Sequence, residues 1–237
     1  MKKRNNNKIF SEHLLYWYDN NRRNLPWRAM EGEKPNPYFV YLSEIMLQQT
    51  VVKTVIPYFL KFVKKWPSIK KLANADFQEI SQQWSGLGYY RRAKNLHETA
   101  KQILKYHNGI IPNNKQILLS FPGIGEYTSS AIIAIAFGGR ANVVDGNVER
   151  IFSRLFKIET PLKVSKYQIF DFSEKYLPLE RYGDYAQALM DLGSLICIPK
   201  NPRCSKCPII DFCEVGGDLS AKEYPKKGVK IKKPERF

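Results

Sequence analysis

No apolar run in this 237-residue chain reaches the roughly 18 residues expected of a membrane-crossing helix. Met1 to Phe10 is basic and asparagine-rich, and Ser11-Glu12-His13 follows without an apolar leader core. A secretory signal is therefore not expected, and the reading is a cytoplasmic protein, nucleoid-associated if its partner is DNA. Cysteine is scarce, and all four residues lie between Cys197 and Cys213. A disulfide framework would spread them along the chain; an intracellular cluster points to a metal site. Acidic residues are in short supply, 22 against 38 lysines and arginines, which leaves a formal charge of +16. Lys222 to Phe237 carries seven basic and two acidic residues, so most of the excess lies elsewhere. A field this positive attracts polyanions, of which nucleic acid is the usual one. No segment alternates with period two for long enough to demand a strand, and there is no internal repeat.

What is present is helical periodicity, and the fold class expected is all-α. Ser11 is read as the cap of a helix carrying Leu14, Leu15 and Tyr18. Pro26, Pro35 and Pro37 enforce an irregular stretch. Helices are then expected over Tyr38 to Thr50, Val51 to Trp66, the segment after the Asp76/Glu79 capping box, and Arg91 to His107 beyond the Gly86-Leu87-Gly88 break. A short helix over Lys115 to Phe121, a tight hairpin at Pro122-Gly123-Ile124-Gly125 and a helix over Tyr127 to Phe137 come next. Asn147 to Phe156, Lys166 to Tyr176 and Asp184 to Cys197 complete the set. Trp17, Trp66 and Trp84 are read as core.

Three features carry chemistry. Gly123 and Gly125 between two helices let the backbone turn tightly and expose its N–H groups at a helix start, where a DNA phosphate fits without base reading. Cys197, Cys204, Cys207 and Cys213, spaced C-x6-C-x2-C-x5-C, suit tetrahedral zinc or a [4Fe–4S] cluster. Glu44 is a lone carboxyl among apolar neighbours that can keep it protonated near neutral pH, though a lone glutamate is more often a solvated helix residue. Asp145 starts a helix, where the commonest role is an N-cap.

These pieces occur together and in order. Leu25-Pro26-Trp27-Arg28, Ser43-Glu44-Ile45-Met46-Leu47-Gln48-Gln49-Thr50, Gly86-Leu87-Gly88-Tyr89-Tyr90, the Pro-Gly-Ile-Gly hairpin, Val144-Asp145-Gly146-Asn147-Val148 and the four-cysteine loop resemble the helix-hairpin-helix base-excision glycosylases, and within them the MutY-type adenine DNA glycosylases. The likeness runs from about Leu25 to Cys213. It implies a six-helix barrel lobe over residues 26–144 and an iron–sulfur lobe over 145–216. An N-terminal helix, residues 1–25, would pack with the second lobe, and a basic linker or tail would occupy 217–237. DNA would cross the mouth between the lobes with the target base flipped out.

The resemblance further implies that Glu44 is the general acid, that Asp145 stabilises the sugar cation and that Asn147 helps hold the acid site. Tyr127 stands where bifunctional relatives carry a Schiff-base lysine, which implies a monofunctional enzyme. Gln49, Leu87, Tyr89 and Tyr90 would wedge into the base stack, and Arg28 would face the base pocket. Arg91, Arg92 and Lys94 would contact phosphates. The four cysteines would hold a [4Fe–4S] cluster, and the partner would be duplex DNA with mismatched or oxidised pairs, bound by a monomer. Members of this type continue into an 8-oxoguanine-recognition domain, so a chain ending in a linker suggests truncation. The nearest rival is a thymine glycosylase acting on G·T mismatches, with the same fold, cluster and tyrosine. An endonuclease III-like lyase is disfavoured by Tyr127, and a non-catalytic scaffold by Glu44 together with Asp145.

Overall fold

Asn36 and Pro37 set the start of the helix that carries Glu44. The Asn36 side chain accepts from the Tyr38 and Phe39 amides at 2.9 and 3.4 Å, and Pro37 supplies a helical φ where no donor is needed. Helix α2 (Pro37–Leu47) then buries residues on every side, the pattern of a helix enclosed by others. The protein is described from a computed structural model covering residues 2–30, 32–217 and 219–228; residues 229–237 of the expected basic tail lie outside the described residues.

Two compact units emerge. The first comprises residues 23–143 and 180–183. Besides α2 it holds α3 (Val52–Lys65), α4 (Ile69–Ala73), α5 (Phe77–Trp84), α6 (Arg91–His107), α7 (Lys115–Ser120) and α8 (Glu126–Ala131). A π-helical turn, Ile132–Ala136, extends α8. Helix α2 packs on α3 and α6, and α4 packs on α6. Tyr41, Leu42, Ile45, Met46, Phe59, Phe62 and Trp84 are fully enclosed, each worth about 1.5–3 kcal/mol for the larger apolar side chains. Trp66 and Trp84 are core, as expected. The capping box before α5 forms only in part. Asp76 accepts from the Gln78 amide at 3.2 Å, while Glu79 pairs with Lys65 at 3.2 Å.

The second unit comprises residues 1–22, 144–179 and 184–237. Helices α1 (Lys2–Asn21), α9 (Gly146–Leu155), α10 (Leu162–Lys175) and α11 (Tyr182–Leu195) contribute to it. Its core joins Phe10, Leu14, Leu15 and Tyr18 to Val148, Ile151, Phe152, Leu155, Ile169, Tyr185, Ala188, Leu189 and Leu192. Trp17 packs half-buried against the same cluster. Phe10 meets Tyr176 edge-on at 4.9 Å. Ser11 does not cap α1: the helix starts at Lys2, and the Ser11 hydroxyl donates to the Lys8 carbonyl at 2.9 Å.

No strand occurs among the described residues, and none of their helices is long and apolar enough to cross a membrane. The all-α class stands.

Candidate active site

Glu44 is 6% exposed, between buried Ser43 and Ile45 on α2, and its Oε2 oxygen is sealed from solvent. The ordinary reading of a lone helical glutamate, a solvated surface charge, does not describe it. One turn further on, α2 ends at Leu47, and Gln49 adopts a left-handed φ of 57°. The Gln48 amide ties this end to the hairpin, donating to the Gly123 carbonyl at 3.2 Å and the Thr128 hydroxyl at 3.4 Å.

The hairpin is built as its glycines dictate. Gly123 has φ 82°, and a Cβ there would stand 2.9 Å from the Asn95 Cβ. Ile124 N–H closes the turn on the Phe121 carbonyl at 3.2 Å, and Thr99 donates to the Pro122 carbonyl at 3.0 Å. Gly125 is exposed, with open space around it. Tyr127, the second residue of α8, is half-buried. Arg28 is half-buried and donates to the Arg23 carbonyl at 3.1 Å.

Two expectations in this unit change. Leu87 is 5% exposed, so its side chain packs inward; Tyr89 and Tyr90, both exposed, are the aromatic surface of that turn. Arg92 is buried and bonded to backbone carbonyls rather than available to phosphates. Arg91 and Lys94, its neighbours, remain exposed. One residue along a helix is a rotation of about 100°, which separates a surface cation from a buried one.

Asp145 is the N-cap of α9 and more. Its Oδ1 accepts from the Asn147 and Val148 amides at 2.9 and 2.8 Å, and its Oδ2 accepts from the Asn147 side chain at 2.8 Å. Asn147 is held in turn by Arg150, whose Nη2 donates to Asn147 Oδ1 and to the Gly193 carbonyl, both at 2.8 Å. Gly193 leaves room for this: a Cβ there would lie 2.5 Å from the Asn147 Cβ. Arg150 Nε reaches the Cys197 carbonyl at 2.8 Å. Burial pulls the Arg150 guanidinium below its ordinary value, while Cys197 and Asp145 pull it back up.

Arg154, one turn on, enters the cysteine loop itself. It is 2% exposed and donates to the carbonyls of Cys197 (3.2 Å), Ile198 (2.8 Å), Pro199 (3.0 Å) and Tyr224 (3.2 Å), and to Cys197 Sγ at 3.2 Å. Sequence reasoning missed both arginines; the available signal was their i, i+4 spacing toward the inner side of an amphipathic helix.

All four cysteines are free and half-buried. Short 3₁₀ turns, Cys204–Lys206 and Ile210–Phe212, shape the loop. Among the described residues no three histidine, cysteine or acidic side chains are drawn together as a ready-made metal site. The thiols nonetheless act on one another. Burial, reinforced by Cys197, Cys213 and Cys204, pushes the Cys207 thiol up to about 12. Burial likewise pushes Cys213 up to about 11, with Cys197 and Cys204 adding and Arg154 opposing. Four soft donors on one short loop suit a cationic centre that holds them as thiolates, so their chemistry fits a metal cluster.

The chain is similar to known proteins in sequence and in structure. The pattern of the HhH-GPD superfamily of base excision DNA repair proteins matches residues 42–170. An adenine DNA glycosylase of Buchnera aphidicola subsp. Baizongia pistaciae is 40% identical over 207 residues, 87% of this chain and 58% of that protein. The adenine DNA glycosylase of Mus musculus is 40% identical over 224 residues, 90% of this chain and 44% of that protein. The chain thus spans about half the length of these relatives. A thermostable thymine-DNA glycosylase is similar in structure, with a TM-score of 0.79 and 28% identity over 90% of this chain and 98% of that one.

Proposed function

The chain belongs to the HhH-GPD superfamily of base excision DNA repair proteins, and from that premise we propose that it is a monofunctional adenine DNA glycosylase acting on adenine opposite 8-oxoguanine or guanine. The observation that carries this reading is the burial of the Glu44 carboxyl in an apolar helix, in a chain akin to adenine glycosylases. A glycosylase must take its base out of the stack before it can reach the glycosidic bond. Gln49, Tyr89 and Tyr90 occupy the vacated place in the stack, the Gly123–Gly125 hairpin and exposed lysines and arginines hold phosphates, and Arg28 faces the extruded base.

Glu44 delivers a proton to N7, which makes adenine a competent leaving group. The C1′–N9 bond breaks with its electron pair going to the base. Asp145 opposes the cation that develops on the sugar, by charge or by transient covalent capture, as a carboxylate does in retaining glycosidases. Water then adds to C1′ and gives up a proton, leaving an abasic site. Asn147 keeps the Asp145 carboxylate oriented. Tyr127 has no amine, so no Schiff base forms and the strand is left intact.

Cys197, Cys204, Cys207 and Cys213 hold a [4Fe–4S] cluster, which when bound supplies covalent cross-links that order the loop. The enzyme acts as a monomer on duplex DNA in the cytoplasm.

A second reading, a thymine glycosylase on G·T pairs, is favoured by the match to nearly the whole of such an enzyme. Duplexes carrying A opposite 8-oxoguanine, A opposite G, and T opposite G separate the two. Alkali-labile abasic sites on the first two support the adenine reading; release from the third alone replaces it. Strand cleavage without alkali, with a borohydride-trapped adduct on the protein, refutes monofunctional action.

A further inference from the structure

One guanidinium grips two turns at once. Arg92, near the start of α6, is 7% exposed. Its Nη1 points at the carbonyls of Ile45 (3.3 Å), Met46 (2.6 Å) and Gln48 (2.5 Å). Its Nη2 points at the Thr50 hydroxyl (3.0 Å) and the carbonyls of Leu87 and Gly88 (3.2 Å each). Trp84 and Tyr89 lie over it, ring centroids 5.4 and 5.3 Å from the guanidinium carbon. Ile45 and Met46 belong to the last turn of α2, where helix carbonyls lack partners and the dipole favours a cation.

The second coincidence concerns backbone strain. Gln49 (φ 57°) and Tyr89 (φ 47°) are left-handed residues with side chains, a conformation that persists only where the surroundings impose it. In both cases Arg92 bonds the carbonyl of the residue immediately before, Gln48 or Gly88. Gln49, Tyr89 and Tyr90 are the exposed side chains at these turns that the proposed function sends into the base stack, and of the three Gln49 and Tyr89 carry the left-handed φ.

We infer that Arg92 is a positioning residue. It fixes Gln49 and Tyr89 as a pair at set spacing and anchors the end of the helix that bears Glu44. The inference rests on the proposed role of Gln49 and Tyr89 at the flipped base. Arginine is required because its planar fork serves two sets of acceptors at once; lysine offers a single compact charge.

The test compares Arg92→Lys with Phe62→Leu, a change in the same core, against Trp84, that removes no hydrogen bond to either turn. Three quantities are measured on folded protein: affinity for undamaged duplex, fluorescence of 2-aminopurine beside the target base as a report of unstacking, and single-turnover excision. Arg92→Lys is expected to keep duplex affinity, lose the unstacking signal and slow excision about a hundredfold, the scale of a small misplacement in a catalytic site. Phe62→Leu is expected to keep all three. Should Arg92→Lys fail to fold, Thr50→Ala, which removes one acceptor of the same fork, is expected to weaken the unstacking signal in a protein of normal stability. Normal unstacking in whichever of these variants folds overturns the inference, as does an equal loss in Phe62→Leu. Gln49→Ala and Tyr89→Ala separate the two levels: if both unstack and excise normally, the stacking role fails and the inference with it. If both are impaired while Arg92→Lys is not, only the positioning role fails.

Discussion

Asp145 has two carboxylate oxygens, and α9 needs only one of them for its cap. Oδ1 takes both backbone amides, while Oδ2 is held by a side chain that Arg150 itself secures. The N-cap reading and the catalytic reading of this residue are therefore compatible, and a substitution tells them apart. Asparagine caps a helix about as well as aspartate but turns an N–H toward the Asn147 amide where Oδ2 accepted, so Asp145→Asn should cost about 1–3 kcal/mol and still fold. It removes the charge proposed to oppose the sugar cation, and excision should fall at least about a hundredfold. Glu44→Gln keeps shape but cannot donate to N7, which costs about a hundredfold to ten-thousandfold. Chemical denaturation and single-turnover kinetics on the same preparations check both; duplex affinity should be nearly unchanged. Near-normal excision by either variant would mean the active site is misplaced. Collapse of Asp145→Asn would leave that residue only its structural role.

At the scale of elements, the hairpin gives the sharpest contrast. Gly123 has a left-handed φ and Asn95 in the way of a side chain, whereas Gly125 has φ −102° and open space. Gly123→Ala should destabilise the protein by about 1–2 kcal/mol from backbone strain and weaken binding to all duplexes alike. Gly125→Ala should fold normally. Thermal unfolding and fluorescence anisotropy measure both, and equal behaviour of the two variants would contradict the geometry. The elements themselves were largely legible in the sequence. Helix α6 was expected over Arg91 to His107 and is found there, because Gly88 breaks the chain before it and its apolar spacing is regular. Helix α4, five residues long, is too short to show a period. The first turns of α1 consist of polar residues that carry no apolar pattern, so its start was set too late at Ser11. The π-helical turn after α8 was read as ordinary helix, since one extra residue per turn leaves no mark in a run of isoleucine and alanine. The candidate site could be named from the sequence where residue type suggests chemistry, as with the cysteines and Glu44. It was not legible where orientation decides, as with Arg92, Leu87 and the two arginines of α9.

For the molecule as a whole, the +16 charge makes a simple demand. If phosphates hold the DNA, affinity should drop roughly a thousandfold or more between about 50 and 200 mM salt, and a flat dependence in a titration by anisotropy would remove DNA binding as the purpose of that charge. The other consequence starts from Arg154. The same buried cation bonds Cys197, Ile198 and Pro199 at the entry to the cysteine loop and the Tyr224 carbonyl in the segment beyond it. That segment has further ties, from Tyr224 to Glu159 and from the Leu162 amide to the Lys226 carbonyl. If the loop slackens, Arg154 loses its seat and the chain downstream loses a mooring. Removal of the proposed cluster's iron by oxidation and chelation should therefore quicken trypsin cutting at Lys226 and Lys227, detected by mass spectrometry, before the core of α1 and α9 is attacked. Unchanged cutting there would mean the other ties suffice. In that event the loop could be damaged without notice; otherwise the far end of the chain serves as a tell-tale for corrosion at the cluster.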